Sequence, residues 1–233
     1  MAVTTALIIP ALNEEDSLRT VLESLPPALF DEVVVVDNGS TDATARVAAE
    51  SGAKVVSEPR RGYGSACLAG IAALSPAIEA VVFMDADGSD VPQEAFDLLE
   101  PIASGQADLV IGSRVLGRAE AGALSPHQRF GNRLAVSLVK LLYGRRYTDL
   151  GPFRAMRRTA LERLGMQDRD FGWTIEMQIK ALREGLRVVE RPVSYRRRRA
   201  GQSKVSGNLR GSVAAGVKIL WTVARYSGAG GRA

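Results

Sequence analysis

Cysteine and histidine are nearly missing: the 233 residues contain one of each, Cys67 and His127. A lone thiol closes no internal disulfide, and without Cys/His clusters a zinc site of the usual kind is excluded. Long apolar runs are missing too, since no stretch reaches the roughly 18 residues a membrane span requires. The opening MAVTTALIIPALNEE has no basic leader, and its apolar run soon meets Asn13, Glu14 and Glu15. It reads as a first strand, and the chain as cytoplasmic with at most peripheral contact to a membrane face. Two phosphate-loop signatures are missing as well. There is no G-x-x-x-x-G-K-[ST], and Gly62-x-Gly64 lacks the third glycine of the dinucleotide spacing. Dinucleotide and P-loop enzymes are thereby disfavoured. The last absence is regional: residues 191–233 hold ten basic side chains and no Asp or Glu. The preceding residues keep the other 20 basic groups against all 26 acidic ones, so an acidic body precedes a basic tail. Such a tail, with four consecutive arginines at 196–199, suggests a polyanionic partner at the C-terminal end: an anionic membrane surface, phosphate or nucleic acid.

What is present is ordinary in bulk, 46% hydrophobic and 24% charged, and long enough for one α/β domain with a sizeable core. The most informative stretch is Ala80–Met84 followed by Asp85-Ala86-Asp87-Gly88-Ser89. The apolar, β-branched run predicts a buried strand, and the two carboxylates stand at its end. Two residues apart in extended chain, they share a face. Carboxylate oxygens are what hard divalent cations prefer, and Mg²⁺ commonly sits on one or two of them while also binding phosphate.

Further strands are predicted at 3–9, 32–37, 54–57 and 108–112. Helices are predicted near 14–25, 42–51, 65–74 and 92–103, with Ser/Thr/Asp caps and Pro at helix starts. Alternation of this kind argues for a mostly parallel central sheet flanked by helices. Ligands in such sheets bind at the carboxyl ends of strands. Those ends carry 10–14, 37–42, 58–64, the Asp85/Asp87 pair and Ser113-Arg114, all polar and expected to converge on one edge. Asp37 can accept from a nucleobase or a ribose hydroxyl, while Ser40, Thr41 or Asp42 caps the helix that follows.

After residue 115 the rhythm changes. Residues 116–124 read as a Gly/Ala-rich loop, and 127–143 as a helix with Arg129, Asn132 and Arg133 on one face. A turn into a strand follows at 148–156, then a helix at 173–184, a strand at 187–195 and a loop at 201–206. A C-terminal amphipathic helix is predicted over 208–225, its apolar face formed by Leu209, Val213, Val217, Leu220 and Ala224. The expected organisation is one domain over 1–226, with a nucleotide-binding half (1–114), an acceptor half (115–207) and the terminal helix (208–226). A flexible tail (227–233) follows.

These motifs in this order resemble a known family. IIPALNEE, VVVDNGSTD, RRGYGSA, MDADGS, IGSR and DLGPFRA together look like the family 2 glycosyltransferases of the GT-A fold. DFGWTIEMQIKA and RRAGQSKVSG are similar to the dolichol-phosphate mannose synthase and polyprenyl-phosphate glucosyltransferase branch. The resemblance implies a metal-dependent, inverting hexosyltransferase, its donor GDP-mannose or UDP-glucose and its acceptor a polyprenyl phosphate. Pro10, Leu12, Asn13, Glu14, Glu15, Asp37, Asn38, Arg60, Gly62, Asp85 and Ala86 would form the nucleotide pocket. Asp85 and Asp87 would carry Mg²⁺ or Mn²⁺. Arg114, Arg129, Asn132, Arg133, Arg154, Trp173, Ser203 and Lys204 would serve the acceptor and its phosphate, with Asp149, Gly151, Phe153 and Glu176 at the sugar and acceptor end. A phosphate acceptor is already anionic and needs no strong base, whereas a hydroxyl acceptor would require Asp149 or Glu176 in that role. Ser89 stands where the mannose synthases often carry a longer polar side chain, which implies a more hydrated metal.

Three other readings share parts of the pattern. Hydrolases of the haloacid dehalogenase type also use D-x-D-G-[ST] after a strand, but near the N-terminus and with a paired acidic motif downstream. Sugar-nucleotide pyrophosphorylases open with a Gly-rich, Lys-containing segment that residues 3–20 lack. A non-enzymatic anchor would use only the charge asymmetry. No nucleic acid partner is expected.

Overall fold

The computed structural model describes residues 3–198, 216, 218 and 220–226. They build one seven-stranded sheet with helices on both faces, in the order β3-β2-β1-β4-β6-β5-β7. The strands are β1 (Thr5–Ala11), β2 (Glu32–Asp37), β3 (Lys54–Ser57), β4 (Ala80–Phe83), β5 (Leu109–Ala119), β6 (Arg154–Arg157) and β7 (Val188–Tyr195). Parallel pairing sets Ala11 beside Asp37 and Asp37 beside Ser57, and β1 also pairs with β4. The carboxyl ends of the first strands therefore lie together. β6 alone runs against its neighbours, β4 and β5, and β5 pairs with β7 in parallel.

Strand alternation divides the core in two. Ala6 and Ile8 of β1 face one side, and Leu7, Ile9 and Ala11 the other. The second side is covered by α1 (Glu15–Glu23), α2 (Thr44–Glu50) and α4 (Ala95–Ala103). The first is covered by α3 (Tyr63–Ala73), α5 (Pro126–Tyr143), α6 (Arg158–Leu164) and α7 (Trp173–Arg183). With both faces covered, β1, β2 and β4 read as nearly continuous apolar runs. α5 starts on a capping box: Ser125 Oγ accepts from the Gln128 N–H, and Gln128 Oε1 accepts from the Ser125 N–H at 2.8 Å.

Three local expectations are corrected. The predicted loop at 116–124 begins as strand, because β5 resumes pairing with β7 beyond an irregularity between Ser113 and Arg118. Its backbone is paired although Val115 and Leu116 are exposed, so side-chain pattern gave no sign of it. The sequence reading also missed α6, seven residues long, although Leu161 and Leu164 are buried and Gly165 closes it at φ 51°. At the C-terminus the described residues from 216 to 226 are helical, but Leu220 is exposed while Thr222 and Val223 are buried. Docking there follows Lys218, paired with Asp168 at 3.2 Å, and Tyr226, whose hydroxyl donates to Glu176 at 2.6 Å. Leu209, Val213, Val217 and the tail 227–233 lie outside the described residues.

Candidate active site

A cleft of about 640 Å³ opens at the carboxyl ends of the strands and takes at least one residue from each of the five polar strand ends: Pro10, Asn38, Gly62, Asp85 and Arg114. Of the predicted site residues, Leu12, Glu14, Ala86 and Asp87 also line it. The others divide by what already holds them.

The β1–α1 loop is laced to the turn after β2. Asn13, in the left-handed region at φ 52°, accepts from the Thr41 N–H through Oδ1 at 2.8 Å. Glu15 accepts from the Ala43 N–H at 2.7 Å, and Asp37 accepts from the Ser40 N–H at 3.0 Å. Asn13, Glu15 and Asp37 thus shape the rim and are not among the lining residues. Asn38 does line the cleft, but its amide is committed to the β3–α3 loop. Nδ2 donates to the carbonyls of Glu58 and Arg60, and Oδ1 accepts from the Gly62 N–H at 2.8 Å. On this loop Arg61 lines the cleft and Arg60 does not. A Cβ on Gly62 or Gly64 would overlap the backbone carbonyl of Arg169 or Asp168, so only glycine permits this close approach.

At the centre lies an acidic group. Asp85 is pushed up to about 7, first by burial and then by Asp87, with Arg114 and Arg198 opposing. Asp90 is 3% exposed and lies well above the usual carboxylate range through burial, then Asp85 and Asp87. Its Oδ2 accepts from the Asp85 N–H at 3.3 Å, while its buried Oδ1 has no partner. At the end of β7, Tyr195 bridges to Asp90, and just beyond it the Arg196 N–H donates to the Ser89 carbonyl. This carries Arg198 over the acids, where it pairs with Glu14 Oε1 at 2.6 Å and Asp87 Oδ2 at 3.1 Å. A guanidinium therefore already sits as the cation between two cleft carboxylates. The donor set fits a hard divalent ion. Among the described residues no three His, Cys, Asp or Glu side chains are arranged to hold a metal by themselves. An ion on Asp85 and Asp87 would complete its shell from diphosphate oxygens and water.

The expected acceptor half behaves differently. Asp149 is 1% exposed and accepts four hydrogen bonds, each 2.8 Å: from Arg114 Nε, Nη2 and backbone N–H, and from the Leu150 N–H. Both its oxygens are committed, so it is a clamp for Arg114 and no free base. Burial opposes the charge on Arg114, but the bonds to Asp149 outweigh this and raise its pKa. Glu176 is fully buried and outside the cleft. It accepts from the Gln167 and Asp168 N–H groups and pairs with Lys180 at 2.8 Å, fixing the segment that carries Asp170 and Phe171 into the cleft. Asn132 fastens the 148–150 turn through the Thr148 carbonyl and the Leu150 N–H. Arg154, also fully buried, donates to the carbonyls of Gly151, Leu150 and Thr174 and braces the same turn from below. Gly151 packs against the Gly112 carbonyl. Trp173 and Phe153 are core, the former edge-on to Phe83 at 6.1 Å. Arg129 and Arg133 are exposed on α5 and do not line the cleft. Ser203 and Lys204 lie outside the described residues.

Several lining residues were missed, among them Tyr63, Gln128, Asp170, Phe171, Tyr195 and Arg198. Asp170, raised by burial, is among the described residues the one lining carboxylate apart from Glu14, Asp85 and Asp87. Several basic groups of the tail have partners on the body, and Arg199, Lys204, Arg210 and Arg232 lie outside the described residues. Arg191 pairs with Glu100, the Arg197 N–H donates to Glu120, Arg198 meets Glu14 and Asp87, and Lys218 meets Asp168. Arg191, Arg198 and Lys218 are thereby paired with carboxylates of the body, while the Arg197 guanidinium donates to the Ala121 carbonyl.

Comparisons with known proteins agree along the chain. Residues 6–165 match the family described as Glycosyl transferase family 2. The chain is 44% identical over 218 residues to an uncharacterised glycosyltransferase of Mycobacterium tuberculosis, covering 93% of this chain and 96% of that protein. It is 33% identical over 236 residues to the undecaprenyl-phosphate mannosyltransferase of Micrococcus luteus, covering 95% of each. Among solved structures it is similar to glucosyl-3-phosphoglycerate synthase from Mycobacterium tuberculosis in complex with Mn²⁺, UDP and glucosyl-3-phosphoglycerate. That likeness has a TM-score of 0.78 at 26% identity, over 97% of this chain and 81% of the other. The architecture is that of GT-A glycosyltransferases.

Proposed function

The chain belongs to glycosyl transferase family 2, and from that premise we propose that it moves a hexose from a nucleoside diphosphate sugar to a polyprenyl phosphate, with inversion and with Mg²⁺ or Mn²⁺. It is a glycosyltransferase using a nucleotide-sugar donor. The observation that carries the finer reading is the composition of one cleft: carboxylates Glu14, Asp85 and Asp87 together with Arg114, whose guanidinium is pinned by Asp149.

The chemistry follows from how these groups are held. Pro10, Leu12 and the Asn38-shaped rim accommodate the nucleoside, and Gly62 lets the Arg169 carbonyl close against the β3–α3 loop beside it. Asp85 and Asp87 would hold the ion, which when bound supplies positive charge against the departing diphosphate. Arg114 is fixed by two bonds to Asp149, and its place in the cleft wall suits an anionic oxygen. Pre-fixed charge of this kind needs no reorganisation during reaction. Asp149 and Glu176 are saturated with donors and offer no site for a transferred proton. An acceptor that is already ionised needs none, which favours a phosphate monoester as nucleophile. The likeness to the undecaprenyl-phosphate mannosyltransferase supports that acceptor class.

A second reading rests on Asp170. It lines the cleft, and burial raises its pKa, the direction that makes a carboxylate a better proton acceptor. A hydroxyl acceptor on a small phosphorylated molecule would call on it. The structural neighbour solved with glucosyl-3-phosphoglycerate keeps this alternative in view.

The test is calorimetric titration of UDP and of GDP into the protein with Mn²⁺, repeated with Asp87→Ala. Binding of one nucleotide that disappears in the variant supports a metal-dependent transferase and identifies the donor base. Equal binding by the variant removes Asp87 from the metal site.

A further inference from the structure

α5 has two apolar faces. At about 100° per residue, Phe130, Leu134 and Leu141 fall within an arc of roughly 40°. The buried Ala135 and Val139 lie on the far side, against the core. Phe130 and Leu141 are 69% and 78% exposed, and nothing in the packing of a soluble helix calls for that outward stripe. Beside it, in a neighbouring arc of about 40°, run Arg129, Arg133 and Lys140, all exposed and without ion-pair partners among the described residues. Arg146 is exposed just past the helix end. From Pro126 to Arg146 there is no Asp or Glu, within a body whose charge is otherwise acidic.

We propose that α5 is the membrane-docking surface: its outward stripe enters the headgroup–acyl boundary of an anionic bilayer while the adjacent cations meet lipid phosphates. Charge decides the occupant. A row of cations beside an apolar stripe matches anionic lipid, and Glu100, Glu14 and Asp168 of the body are already paired with Arg191, Arg198 and Lys218. Eighteen residues span about 27 Å along the helix, and its charges exclude crossing, so the helix lies flat. Gln128, in the first turn, lines the cleft. The docking face thus begins one helical step from the site, and docking would set the cleft beside the surface where a lipid phosphate resides. This places the membrane contact on α5.

The test needs neither donor nor acceptor, so its outcome is separate from that of the transfer reading. Full-length protein is sedimented with vesicles of phosphatidylcholine containing phosphatidylglycerol. Leu141→Glu and Phe130→Glu are compared with wild type, and folding is checked by circular dichroism and by nucleotide binding with Mn²⁺. Expected are binding by wild type that weakens in neutral vesicles and at high salt, and a loss of roughly tenfold or more in each variant. Lys140→Glu should lower binding less and flatten its salt dependence. Variants that bind like wild type overturn the proposal. So does wild type that ignores anionic vesicles, including the case in which it forms a dimer that Leu141→Glu splits, which would make the stripe an interface between copies.

Discussion

The two halves of the cleft use similar residues for opposite purposes. Around β1 and β4, Glu14, Asp85 and Asp87 stand at strand ends, and Glu14 and Asp87 are paired with the partly exposed Arg198 guanidinium. Across the cleft, Asp149, Glu176, Asn132 and Arg154 look just as reactive in sequence, yet each is saturated by backbone groups or by a fixed ion pair. The first group forms a binding surface. The second holds that surface's opposite wall, from which Arg114 and Asp170 face the cleft.

Substitutions should separate the halves by what they disturb. The largest effect is expected from Asp87→Ala, which leaves the fold intact and weakens nucleotide binding with Mn²⁺ about a hundredfold in calorimetry. Arg114→Ala should act on both function and stability. It strands the buried Asp149 carboxylate, so chemical denaturation should register a loss of about 3–5 kcal/mol along with the fall in transfer. Glu176→Gln keeps size but removes the charge held by Lys180 and the 167–168 N–H groups. A loss of about 1–3 kcal/mol is expected, with acceptor KM rising more than nucleotide affinity falls, because Asp170 and Phe171 lose their anchor. The smallest effect has the opposite sign. Arg198→Ala removes the competing cation, and Mn²⁺ alone should bind roughly fivefold tighter by electron paramagnetic resonance titration, since a partly exposed pair contributes only about 1 kcal/mol. Equal losses of nucleotide binding in all four variants would erase the distinction between the halves.

This contrast also explains what was legible beforehand. In parallel strands covered on both faces, apolar runs mark the strand and the next polar residue marks its carboxyl end. The sheet, and Pro10, Glu14, Asp85, Asp87 and Arg114 in the cleft, could therefore be read from sequence. Asp149 and Glu176 could not be told from catalytic acids, because half of their partners are backbone N–H groups, which leave no signature in side-chain spelling, and the rest come from side chains distant in sequence or shared with the helix face. Arg198 was hidden in a run of four arginines. Only the bridge between Asp90 and Tyr195 reveals which of them reaches the acids. The outward stripe of α5 escaped for a related reason. A 3.6-residue pattern with apolar residues on both sides gives no indication of which side the core takes.

The most direct test of the account is transfer itself. Protein, Mn²⁺ and a labelled nucleotide sugar, chosen by the calorimetry, are incubated with undecaprenyl phosphate, and the organic phase is examined for a glycosyl phosphate. The account predicts an acid-labile lipid-linked sugar whose formation is abolished by Asp87→Ala and survives Asp170→Asn. Label that appears only on a hydroxyl of a soluble acceptor, and vanishes with Asp170→Asn, would contradict it.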